Sequence, residues 1–409
     1  MKRIALLIII CLLFIPCIYA EETDSEDSWE YEDDVDLGGF WIQDRGFEMA
    51  LAYINDAHFA NNYLPANMMF TGVIKIDLDN FPSIFQAQVG VNMTPFYFKY
   101  DSKKGWGFGL SIIEFQITGF TGINFDISKI TDAKNKRTDL GFAAFVNFTP
   151  SAFFHIQNFK ISVMPTLFYP VAYATSKISY TLDGSKNYAS FMCDIDLYTP
   201  FNYDTYSGGI QGLTSMMGMD ISASVEYPLS RELGLQNIHS ILNFDVGAGF
   251  TALPFIPGTM KNGLNITANA SVDASDVMNI TNHIFFDSQS FTKDKSIYRP
   301  FIMHFWANWK PLGTELITVT PLIGFAVNTL YAEPGSIEGG ITGHLNLNNL
   351  FHVRLGINYL DRMWINSMHL ALNLRLIEFN LGLSLRSQDF AKSWEGGGLG
   401  FTLGAKIGW

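Results

Sequence analysis

The run Met217-Gly218-Met219-Asp220-Ile221-Ser222-Ala223-Ser224-Val225-Glu226-Tyr227-Pro228-Leu229 decides the fold. Its odd positions are apolar and its even positions are small, polar or acidic, with Pro228 near the end. A period of two puts one set on each face of an extended strand. Soluble strands usually run about 5–6 residues. This one is long enough for the roughly 9–11 residues that a tilted strand needs to cross a bilayer.

The same pattern recurs. Phe85, Ala87, Val89, Val91 and Met93 alternate with polar or small neighbours, as do Leu242 to Phe250 and Leu264 to Val272. Met368, Leu370, Leu372, Leu374 and Leu376 do likewise. The apolar set then changes parity, to Phe379, Leu381, Leu383 and Leu385. That switch places a tight two-residue connection at Ile377-Glu378. The segments Ser128–Asp139, Asp183–Ser215 and Asp273–Arg299 are rich in Asn, Asp, Ser, Thr, Gly and Lys and read as long loops.

Composition separates a barrel from a soluble sandwich. Charged residues are 16% of the chain, well under the roughly 25% of ordinary globular proteins, and aromatics are 15%. After the first residues no stretch is uniformly apolar over a helical span. Alternating lipid-facing residues dilute hydropathy in this way. The fold class expected is all-β: a transmembrane antiparallel β-barrel of about 14 strands, within a range of roughly 12–16, closed by the C-terminal strand.

Residues 1–20 read as a cleaved signal peptide, with basic Lys2 and Arg3, apolar Ile4 to Ile15 and small Ala20. Pro16 directly before Cys17 fits an acylation site poorly. Residues 21–44 form an acidic segment, a disordered tail or a plug, with ten acidic and no basic residues between Glu21 and Asp36. Taking those ten from 39 acids, and Lys2 and Arg3 from 26 bases, leaves 29 against 24, so the barrel itself is nearly neutral. Residues 45–409 are the barrel. Only Cys193 would remain after cleavage, which excludes an internal disulfide.

Phe401, Leu403, Ala405, Ile407 and Trp409 share one face at the C-terminus. They form an assembly signal: a lipid-facing row that ends in an aromatic, resembling the terminal strand read by the barrel-assembly machinery. The partners expected are outer-membrane lipid, that machinery and a small solute; the location is the cell outer membrane, and no nucleic acid is expected. The strings Gly105-Trp106-Gly107-Phe108-Gly109-Leu110, Glu226-Tyr227-Pro228-Leu229-Ser230-Arg231-Glu232 and Tyr298-Arg299-Pro300-Phe301 resemble treponemal (spirochaete) outer-membrane β-barrel proteins. So do Ser336 to Gly340, Tyr359 to Arg362, Arg386 to Phe390 and the final Gly408-Trp409. The resemblance is best from residue 298 onward. Part of that group is similar to long-chain fatty-acid transporters of the outer membrane, 14-stranded barrels with an N-terminal hatch. The resemblance thus implies transport of hydrophobic solutes. The hatch's Asn-Pro-Ala is absent here, the nearest string being Pro65-Ala66-Asn67, and no binding residue is carried over.

No nucleophile elbow, P-loop, H-E-x-x-H or C-x-x-C occurs, so no enzyme, cofactor or metal is expected. The charges carry the functional reading. His304, Lys310, His344, His352, Arg354, His369, Arg375, Arg386 and Lys406 fall on the polar parity of the later strands; Asp220, Glu226, Asp245 and Asp273 fall on that of the middle strands. The lumen-lining candidates are Arg354, Arg375, Arg386, His352, His369, Asp220, Glu226 and Asp245. If this parity faces the lumen, a basic wall confronts an acidic one and sets selectivity, or the two signs pair and satisfy a polar interior. The expected function is passive transport of small solutes, hydrophobic ones such as long-chain fatty acids included. The alternative is a non-transporting surface barrel, structural or adhesive, that acts through its extracellular loops.

Overall fold

A computed structural model describes residues 46–63, 84–102, 105–124, 136–183, 188–199, 216–235, 239–273, 281–331, 333–347, 350–374 and 376–408. The signal and acidic segments, Arg375 and Trp409 lie outside the described residues. The strands are β1 (Phe47–Asn61), β2 (Ile84–Asp101), β3 (Trp106–Asn124), β4 (Lys136–Ile156), β5 (Phe159–Asp183), β6 (Tyr188–Tyr198), β7 (Gly218–Tyr227), β8 (Phe244–Ile256) and β9 (Gly258–Asp273). They continue as β10 (Thr281–Ile297), β11 (Phe301–Trp309), β12 (Ile317–Val327), β13 (Gly335–Leu347), β14 (Phe351–Leu360), β15 (Met363–Asn373), β16 (Ile377–Ser387) and β17 (Gly398–Gly408).

Every ladder is antiparallel, and β17 pairs with β1 to close the wall. The closed circuit runs β1-β2-β3-β4-β5-β7-β8-β11-β12-β13-β14-β15-β16-β17, which is fourteen strands. The other three segments prolong wall strands. β9 continues β8 past Pro257, and β10 leads into β11 through Pro300. Proline cannot donate to a ladder, so it marks these breaks. β6 and β7 occupy one strand position beside β5, separated by residues 199–217. β6, β9 and β10 thus extend beyond the closed ring. This corrects two of the expected loops: Asp183–Ser215 contains β6, and Asp273–Arg299 contains β10. The polar run Thr292–Lys295 of β10 reads as loop, whereas β6 does alternate, at Phe191, Cys193, Ile195 and Leu197, within a longer stretch rich in turn-forming residues.

The wall is turned inside out relative to a soluble sandwich. Along β16 and β17, Phe379, Leu381, Leu383, Phe401, Leu403 and Ile407 are exposed. Their neighbours Glu378, Asn380, Ser384, Thr402 and Lys406 are buried. Burial of ionisable residues beside exposed leucines is favourable only where lipid covers the outside. Leu372 is exposed on the outer face near the end of β15. The turn after β15 is Leu374–Leu376, with the Leu374 N–H donating to Ile377 O; Glu378 already pairs with Asn373. The expected connection at Ile377-Glu378 is therefore two to three residues too late, because Leu374 and Leu376 keep apolar parity while already in the turn.

The described chain ends, near Phe47 and Gly408, lie side by side. We label that side of the ring end A, where connections include Gln157–Asn158 and Leu374–Leu376. End B carries the β12–β13 loop, the Asp361–Arg362 turn and the segment with the short helix Phe390–Trp394.

Candidate functional site: the barrel lumen

Several large inward side chains lie close against wall glycines. Tyr53 lies over Gly404, His58 over Gly90, Phe120 over Gly141, Trp306 over Gly247, His304 over Gly324 and His369 over Gly382. These are cross-strand neighbours, and a Cβ at any of these glycines would collide with the ring. The glycines are therefore needed for close approach, the device that lets an aromatic cover an unsubstituted strand position.

Polar networks line the wall, some of them close to end B: Arg386 stands at the end-B end of β16, Asp220 near that of β7, and Arg299 just before β11. Arg386 donates from Nη1 and Nη2 to Asp56 at 3.0 and 2.5 Å, and from Nε to Ser384 at 2.8 Å. His58 Nδ1 lies 2.8 Å from the same carboxylate. Arg299 Nη1 donates to both oxygens of Asp220 at 3.2 Å, and its Nε donates to Gln116 at 3.3 Å. Asp220 is on β7 and Gln116 on β3, three ring positions apart, so Arg299 is a strut inside the lumen. Glu226 Oε1 accepts from Trp306 Nε1 at 2.8 Å and from Asn308 at 3.3 Å. Lys310 Nζ lies 3.4 Å from Asp245 and Lys406 Nζ lies 3.1 Å from Glu48. Buried Glu378 stands opposite Lys406 in register.

One row is basic. His344, Arg354 and His369 are direct partners on β13, β14 and β15. His352, buried on β14, stacks on His344 with centroids 5.4 Å apart and its Nδ1 3.3 Å from His344 Nε2. Among the sequence candidates the structure thus gathers Arg354, His352 and His369 in one region, with Arg386 on the adjacent β16. The candidate acids meet other groups: Asp220 takes Arg299, Asp245 takes Lys310, and Glu226 takes Trp306 and Asn308. Arg375 lies outside the described residues. In the terminal row Phe401, Leu403 and Ile407 face outward and Ala405 is half-buried.

Sequence reasoning missed Asp56, Arg299 and Glu338. A shift in the β1–β2 register between Ile54 and Asp56, with Ala52 at φ 55°, breaks the parity of β1. Asn55 and Asp56 consequently both make inward bonds. Arg299 sits at the break before Pro300, in a segment expected to be loop.

The interior also holds an apolar cluster. Phe145, Phe168, Tyr173, Tyr198, Met260, Ile297 and Leu330 are buried together, with Phe120 and Phe291 against them. Phe145 and Phe168 meet edge to face at 5.8 Å, and Tyr198 and Phe291 at 5.3 Å.

No family model matches the chain, and no curated protein does. Three solved structures similar to it are the following. The Pseudomonas putida toluene transporter TodX has 9% identity and TM-score 0.45, with 89% of each chain covered. The CymD monoaromatic hydrocarbon channel has 10% identity and TM-score 0.41, with 89% of each chain covered. The translocator domain of the autotransporter NalP from Neisseria meningitidis has 8% identity and TM-score 0.34, covering 92% of this chain and 91% of that one.

Proposed function

We propose that this barrel sits in an outer membrane and passes small solutes, hydrophobic ones included, passively through its lumen. The observation that carries this reading is a closed ring whose inward faces are polar and charged while its outward faces carry exposed leucines and phenylalanines. The apolar cluster adds a surface that a hydrophobic solute can wet, beside the polar groups of the wall. The resemblance to treponemal barrels, and through them to fatty-acid transporters, points the same way.

The test is conductance in planar bilayers together with uptake of a labelled long-chain fatty acid into proteoliposomes, on one preparation. At least one activity is expected, and lack of both in correctly folded protein contradicts the proposal. The alternative of a surface barrel that binds partners is favoured by one feature. Phe285 and Phe286 on β10, beyond the ring, are 60% and 74% exposed. Absence of both activities, with partner binding lost in Phe285→Ser and Phe286→Ser, would reverse the order. Phe401 to Trp409 are proposed to serve assembly through the lipid-facing row they present.

A further inference from the structure

The loop between β12 and β13 reaches across the ring. Its neighbours in the wall are β12 and β13, whereas its contacts are half a ring away on β3 and β4. Tyr331 stacks on Phe120 of β3 with centroids 4.0 Å apart and planes 29° from parallel. Leu330 is buried against Ala143 and Phe145 of β4 and Phe168 of β5. Thr329 hydrogen-bonds Tyr173 of β5. A loop rooted at β12–β13 that meets β3, β4 and β5 spans the end-B mouth of the ring.

The Asp361–Arg362 turn pins this loop from the side. Arg362 Nη2 donates to Glu333 O and, at 3.1 Å, to Gly335 O; its guanidinium lies 4.3 Å from the centre of the Tyr331 ring. Asp361 Oδ2 accepts from Gln88 Nε2 of β2 at 2.6 Å, and the Asp361 N–H donates to Glu338 Oε1 of β13 at 2.8 Å. Glu338 Oε2 in turn lies 2.6 Å from His304 Nε2 of β11. Asp361 therefore ties the loop, the turn and three separate wall strands together.

We propose that Leu330 and Tyr331 form a gate across the end-B mouth, and that Asp361 is its acid-sensitive latch. This rests on the lumen being a conduit. The groups that face Asp361 are Glu338 and, behind it, His304; Gln88; Asn328 and Tyr331 of the loop; and Arg362 beside it. Burial first, and then the charge of Glu338, push the Asp361 carboxyl up to about 6. The bond from Gln88 pulls against that rise. With the gate open the carboxyl meets water and returns to its ordinary range. The closed state therefore holds the proton more tightly, so acid favours closure and ionisation of Asp361 favours release.

Single-channel recordings at pH values above and below about 6 test this on the full barrel, with folding checked by heat-modifiable mobility. Wild type is expected to open more at the higher pH, by about tenfold or more. Asp361→Asn, which holds the latch in its uncharged form, should stay closed at both. Leu330→Gly with Tyr331→Ser should be open at both. Tyr331→Ala alone is the milder variant if that pair disturbs folding. Conduction by all forms, with no dependence on pH or on these residues, overturns the gate and leaves the conduit standing. Silence from the Leu330/Tyr331 variants in folded form overturns both.

Discussion

Arg299→Ala is expected to cost about 3–5 kcal/mol of barrel stability, the usual penalty when one member of a buried ion pair is removed. Asp220 is 2% exposed at its side chain, and Arg299 supplies its guanidinium at 3.2 Å. Without it the carboxylate must take up a proton, recruit water, or stay charged in a poorly solvated place. Urea unfolding of the detergent-folded barrel measures the loss. A double-mutant cycle with Asp220→Asn separates the pair from its surroundings, because the two single costs should add to more than the double. A loss below about 1 kcal/mol would mean that the lumen at this level is wet enough for the pair to behave like a surface ion pair.

Gly247→Leu is the second large effect. A Cβ at residue 247 falls within the Trp306 ring, so the indole must leave the wall and give up its 2.8 Å bond to Glu226. It can swing only toward the axis, since the other side is the strand itself. Overpacking of this kind costs about 1–3 kcal/mol. Conductance should fall in step, because an indole then obstructs the path. Trp306→Ala in the same background should restore the conductance. Unchanged conductance in folded Gly247→Leu would show that this level of the lumen does not limit passage.

The legible part of this fold was the part with lipid on one side. From β13 to β17 the alternation is clean, and the closing row at Phe401, Leu403 and Ile407 faces outward. β10 was hidden because it runs beyond the closed ring, and β6, though alternating, lay in a long stretch rich in turn-forming residues. The stretch Thr292-Lys293-Asp294-Lys295 has no apolar face to betray a strand. The site divides in the same way. His352, Arg354 and His369 could be read from parity because each stands on a regular strand. Their surroundings could not. Which acid meets which base depends on ring order and on the bulges that reset β1, and neither is local in sequence. Arg386 finds Asp56, 330 residues away, because β17 lies between them and closes on β1. The Asp361 latch was equally invisible: its turn is a sharp reversal with Asp361 at φ 45° and Arg362 at φ 65°, and its partners come from β2 and β13.

The most direct measurement is residue-by-residue accessibility along β16. Single cysteines are placed from Phe379 to Leu385 in a Cys193→Ser background, labelled with a spin probe and reconstituted in lipid. Positions 379, 381 and 383 should respond to oxygen dissolved in the bilayer, and positions 380, 382 and 384 to a water-soluble relaxer from within the lumen. A strict two-residue alternation of that sense is the predicted result. Uniform access to the aqueous relaxer, or an alternation of the opposite sense, would contradict a membrane-spanning barrel with a polar interior.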